Sequence, residues 1–130
     1  MSLDVSPQLL AEAEKGEVQE RDFVETVRTS LPYAYDLIAR LADELHSGTA
    51  EFADNLTPPA SEHERGQLLR ALSSDAIRGS LERHFDVTLA FQNCHRVAAF
   101  HSDARGGETH TRFTSLRGQI LNQSPELRDC

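Results

Sequence analysis

An apolar stripe constrains this chain more than any other feature: Phe23, Val27, Leu31, Ala34, Ile38, Leu41 and Leu45 step by 4, 4, 3, 4, 3 and 4 residues. That spacing places all seven side chains on one face of an α-helix spanning about 20–46. Pro32 interrupts it, lacking a backbone donor and clashing with the preceding turn, so the helix kinks or restarts near Leu31 while the stripe stays in phase. A face so regular is either packed into a core or paired with a copy of itself.

Shorter signals frame the long one. Ser6-Pro7 starts a helix of about 7–15 that Gly16 stops. Residues 47–60 read as a loop closed by Pro58-Pro59. Ser61, with Glu64 three residues on, forms a capping box that opens a helix of about 61–84 with Leu68, Leu69, Leu72, Ala76, Ile77 and Leu81 on its apolar face and Arg70 and Arg78 on the other. Two β-type runs, Val87–Gln92 and Val97–His101, surround a short connection and predict a hairpin over about 87–101, with one long strand as the alternative. An isolated hairpin is marginal in water, so helices must cover it or strands of another subunit extend it. Phe113, Leu116, Ile120 and Leu121 fit a helix of about 111–123, and Ser124-Pro125 restarts a last helical turn. The expected architecture is therefore α+β: a mostly helical single domain, 1–130, of about four helices on a small antiparallel hairpin.

Charge narrows the function classes. The chain has a net charge of -8, and all of it lies in residues 1–60, which hold 12 acids and 4 bases against 9 of each in residues 61–130. An acidic half opposes phosphate backbones, so nucleic acid is disfavoured as a partner. No apolar stretch approaches the roughly 20 residues of a membrane helix, and the acidic N-terminus does not resemble a signal peptide, which predicts a cytoplasmic protein with reduced thiols.

The chemistry-bearing residues are few. Cys94-His95 is the pair of most interest, since a thiolate beside an imidazole can bind metal or act as a nucleophile. Neighbours on a strand face opposite ways, however, so only a turn lets the two converge. On that reading Cys94 and His95 are the catalytic candidates, His101 joins them as a metal ligand, and Asn93 and Arg96 fix an anionic ligand. His63-Glu64-Arg65-Gly66-Gln67 begins like a zinc-protease motif, but Gln67 stands where the second His must be. No phosphate-binding loop, nucleophile elbow or calcium loop is present, and no cofactor is implied. The sequence favours a non-enzymatic accessory or regulatory protein that forms a homodimer and contacts another protein. Its contact residues are expected near Tyr33 and Tyr35 and on the Arg70/Arg78 face. The alternative is a small thiol- or metal-dependent enzyme or sensor centred on Cys94 and His95.

Several runs taken together, Thr29-Ser30-Leu31-Pro32-Tyr33-Ala34, Phe52-Ala53-Asp54-Asn55, Arg65–Leu72, Phe91–Val97 and Leu121–Cys130, give most of the chain a likeness. It resembles a family of small proteins from Streptomyces and related actinobacteria to which no activity is assigned. The resemblance implies an actinobacterial source, in keeping with twelve arginines to the single lysine Lys15. It implies no role for any residue.

Overall fold

The computed structural model describes residues 2–122. The last helical turn expected after Ser124, the tail run of the resemblance and Cys130 lie outside the described residues. Seven helices and three strands follow in the order α1 (Pro7–Glu14), α2 (Glu20–Ser30), α3 (Pro32–Ser47), β1 (Phe52–Asp54), α4 (Glu62–Ser73), α5 (Asp75–Phe85), β2 (Val87–Gln92), β3 (Arg96–His101), α6 (Glu108–Phe113) and α7 (Leu116–Leu121). The strands form one antiparallel sheet in the order β1-β3-β2. No described helix is long and apolar enough to cross a membrane.

The α+β class stands, with seven α-helices among the described residues in place of about four. Three of the expected helices divide, or are shortened, for local reasons. At Leu31 the backbone leaves helical geometry and Pro32 restarts the chain as the first residue of α3, so the long helix is two. At Ser74 the chain extends, and the Ser74 hydroxyl accepts from the Ile77 N–H, which caps α5. The apolar spacing from Leu68 to Leu81 runs through that break without losing phase, which is why one helix was expected. The segment expected at 111–123 becomes α6 and α7, because Ser115 Oγ accepts from the Gly118 N–H and opens a new helix.

The stripe is spent inside the fold. Val27, Leu31, Ala34, Ile38, Leu41 and Leu45 are all buried, in one cluster with Leu68, Leu72, Ile77 and Leu81 of α4 and α5 and with Val87, Leu89, Val97 and Ala99 of the sheet. Phe23 packs at its margin. The stripe is therefore not available as a seam between two copies. Alternation along β2 and β3 sends Ala90, Ala98 and Phe100 to the opposite face, where Phe113 of α6 and Phe52 of β1 cover them. Both sheet faces are buried, so β3 reads as a continuous apolar run.

The third strand comes from the segment expected to be a loop. Phe52, Ala53 and Asp54 pair with Phe100, Ala99 and Ala98, which places β3 in the centre and supplies the hairpin with its missing neighbour from the same chain. Three residues are too few to carry a period-2 signal.

One cap is supplied from a distance. Pro32 opens α3, and the next two N–H groups, of Tyr33 and Ala34, donate to Gln67 Oε1 at 2.7 and 3.2 Å. Gln67 is buried on α4, and its amide nitrogen rests on His63 Nε2. The residue that spoils the zinc motif is thus a helix cap that ties α4 to α3. Gln67→Ala leaves both donors without their acceptor, and an unsatisfied buried group costs about 1–3 kcal/mol. Urea unfolding is expected to show a loss of that order, whereas the exposed Leu69→Ala stays within about 0.5 kcal/mol of the parent.

Candidate functional site

The β2–β3 turn is tied by side chains to both the end of β1 and α7. Asn93 and Cys94 both have φ of +52°, as a type I′ turn requires, and the His95 N–H closes the turn on the Gln92 carbonyl. Asparagine tolerates this left-handed region and cysteine does so at a cost, so the turn is held from outside. Buried Asn55 does part of this. Its amide nitrogen donates to the His95 carbonyl at 2.7 Å, while its oxygen accepts the Val97 N–H at 2.8 Å, extending the β1 ladder with a side chain where the strand stops. The Asn93 side-chain amide donates to the Gln119 backbone carbonyl at 3.3 Å, and the Gln119 side-chain amide donates back to Asn93 Oδ1, which fastens α7 to the same turn.

Arg96 joins three elements. Its guanidinium binds Asp54 Oδ2 through Nε and Nη2, donates from Nη1 to Asn122 Oδ1 at 2.6 Å, and lies 5.5 Å from the centre of the Phe113 ring. The planar fork of arginine suits this use, with a carboxylate and an amide in its plane and a ring beside it. The Asp54 and Arg96 side chains are both largely shielded from solvent, so this pair is screened less than a surface ion pair.

Beside Arg96 a cleft of about 240 Å³ opens between β1, the end of β2 and the α6–α7 corner. Phe52 and Phe113 form its apolar wall, and Arg112 and Arg117 stand along it. Gln92, 2% exposed, lines it as well; its Nε2 donates to the Phe113 carbonyl while its Oε1 is buried without a donor.

The residues singled out from the sequence disperse. Asn93 and Arg96 meet at the turn as described. Tyr33 and Tyr35 do not share a site. Tyr35 packs its ring on His84 and Phe85, whereas Tyr33 lines a separate cleft of about 480 Å³ with Arg40, Pro58 and Glu64. Partial burial, with Glu64 nearby, raises the Tyr33 pKa above that of a free phenol. Arg70 and Arg78 sit on different helices, α4 and α5, rather than on one face. Arg78 is occupied in holding the corner between them, donating to the Leu72 carbonyl at 3.0 Å and to Asp75 at 2.6 Å.

Cys94 is disulfide-bonded, which corrects the expectation of reduced thiols and removes the free thiolate on which a nucleophilic role depends. Among the described residues no three His, Cys, Asp or Glu side chains are grouped to hold a metal, so Cys94, His95 and His101 do not form such a centre. His95 is buried with Nδ1 unpartnered, and the His101 ring lies 5.8 Å from that of His46, tilted by 59°.

Asp54, Asn55, Gln92, Gln119 and Asn122 were not anticipated. Four of the five lie in the runs that carry the family resemblance, where a polar residue beside an apolar strand was the one available signal.

The chain belongs to a family whose model, KH_NucS_shadow, matches residues 1–130 and is described as NucS shadow ORF. No curated protein and no solved structure matches the chain.

Asn55→Ala removes a donor and an acceptor at once and leaves the Val97 N–H and the His95 carbonyl buried. Native-state hydrogen exchange is expected to show early loss of protection at the Val97 amide. Global stability should fall by about 2 kcal/mol or more, given about 1–3 kcal/mol for each stranded group. Unchanged Val97 protection would show that water replaces the side chain there.

Proposed function

We propose that the protein is a non-enzymatic interaction module that acts as a homodimer and whose sheet and flanking helices form a KH-type core adapted away from nucleic acid. The observation that carries the dimer is the outward face of α7, where Leu116 and Ile120, four residues apart, are 85% and 72% exposed. A six-residue helix is not stable alone, yet this one is fixed by the Asn93–Gln119 exchange and by Asn122 on Arg96. Two large apolar side chains on a rigid, anchored support suit contact with protein. Leu56, 89% exposed, follows the Asn55 that holds the same turn, and so adds apolar surface on a segment anchored there. A second copy is the occupant we favour, because the patch is small and apolar while the chain is strongly acidic. Pairing around a two-fold axis through α7 brings like apolar patches together.

Support for the KH-type reading is topological. The order β1–α4–α5–β2–β3–α6 about a β1-β3-β2 sheet agrees with the letters that open the family's label. A KH domain clamps about four nucleotides with a Gly-x-x-Gly loop. Here the helices meet at Leu72-Ser73-Ser74-Asp75, which contains no glycine, places a carboxylate in the first turn of α5 and commits Arg78 to that carboxylate. A phosphate approaching the corner meets Asp75 and an arginine already paired. With the acidic first half, this supports protein rather than nucleic acid as the partner.

The family description, NucS shadow ORF, names a reading frame and no activity. That the frame encodes a folding protein is supported by agreement between levels: Ser6, Ser61, Ser74 and Ser115 each accept the N–H three residues on, and the helical stripe is the core. We also read the source as actinobacterial, in keeping with the predominance of arginine over lysine.

Sedimentation equilibrium of the purified chain tests the dimer. A dimer at micromolar concentration that becomes a monomer in Leu116→Asp/Ile120→Asp, with an unchanged circular dichroism spectrum, is the expected result. A parent that stays monomeric at high micromolar concentration overturns it. Fluorescence anisotropy with single-stranded RNA is expected to show no salt-sensitive binding, since a contact of that kind weakens steeply with added salt.

A further inference from the structure

The cleft at Arg96 has features that its role in tying the fold together does not use, and this inference does not depend on the dimer. Its volume of about 240 Å³ falls below the roughly 300–1,000 Å³ of drug-sized sites, which limits an occupant to a one- or two-ring molecule. Phe52 and Phe113, with ring centres 6.3 Å apart and planes tilted by 59°, give the wall an aromatic corner against which a flat ring packs.

The polar groups are specific. Gln92 has its amide orientation fixed, because Nε2 must donate to the Phe113 carbonyl, and this leaves Oε1 as a buried acceptor with nothing donating to it. A buried acceptor in that state is costly and is met by a donor from outside the chain. Arg96 is fully engaged with Asp54 and Asn122 and acts as a wall. Arg112 is paired with Glu108, but both side chains are largely exposed, so that pair is weak and exchangeable. Arg117 has no carboxylate partner among the described residues. The cleft thus combines one buried acceptor, an aromatic corner and two arginines among its lining.

We propose that this cleft binds a small planar heteroaromatic acid, with a ring N–H donating to Gln92 Oε1, the ring against Phe52 and Phe113, and the carboxylate on Arg117 and Arg112. Indole-3-carboxylate has these groups and is the probe. Titrated into the isotopically labelled full chain, it is expected to give saturable shifts of the Gln92 side-chain amide and the Phe113 and Gly118 backbone amides. Arg117→Ala should weaken binding by about tenfold, a change of 1.4 kcal/mol. 1-Methylindole-3-carboxylate, which lacks the donor, should lose binding by at least about the same factor. Arg70→Ala, remote from the cleft, should leave the affinity unchanged. No shifts at millimolar probe overturn the proposal. So does binding that neither Arg117→Ala nor N-methylation alters, which would mean that Gln92 Oε1 is served by water and the probe packs without recognition. Leu116→Asn/Ile120→Asn, titrated in parallel, separates this result from self-association, since neither residue supplies a group to the proposed contact and neither substitution adds charge beside Arg117.

Discussion

Burial of one face of α3 is the constraint on which the other elements depend. Leu37, Ile38, Leu41 and Leu45 face inward from it, and the residues that cover them come from α2, from α4 and α5, and from the sheet. Because an α-helix also needs its first N–H groups satisfied, the position of α4 is set as much by Gln67 as by its leucines. Pro32 makes that arrangement necessary. It starts α3 cleanly, but it leaves Tyr33 and Ala34 donating into a buried region with no local side chain to accept, and only a neighbouring helix can reach them. Packing and polar satisfaction therefore fix the same contact, which is how a core of this size specifies one arrangement.

A second, polar centre organises the far end of the sheet. β1 is three residues long and by itself a weak strand, yet Asn55 continues its pairing with a side chain and Asp54 anchors Arg96. Arg96 in turn reaches Asn122, and Asn93 reaches Gln119, so the short α7 is placed by the turn rather than by its own apolar residues. This explains why Leu116 and Ile120 are free to face outward. It also explains the cleft, since an element held by polar ties at its end does not close down on the sheet as a helix packed by its apolar face would.

Three polar positions in this protein changed meaning once the fold was seen. Gln67 looked like a failed metal ligand and is a cap for another helix. Arg78 looked like half of an exposed arginine face and holds the corner between α4 and α5. Cys94 looked like a thiol beside an imidazole and is a bonded residue in a left-handed turn. In each case the sequence shows a reactive or charged group, and its partner lies on another segment or on the far side of a turn. Ser74 is the converse: the sequence carried the cap signal Ser-Asp in plain view, but the unbroken apolar spacing on either side concealed it.

The sequence by itself determined the α+β class, the apolar face shared by α2 and α3, a break near Pro32, the β-type runs within 87–101, and the opening of α1 and α4. These depend on periods of 3.6 and 2 and on caps within three residues, all of which are local. The tertiary structure decided the third strand, the cap on α3, the lock around Asn55 and Arg96, and the cleft lined by Gln92. Each of these joins residues that are tens of positions apart, such as Asn55 with His95 or Tyr33 with Gln67. A hydrogen bond between distant side chains leaves no periodic trace in the chain, and it acquires its partner only when the apolar faces have set the elements side by side.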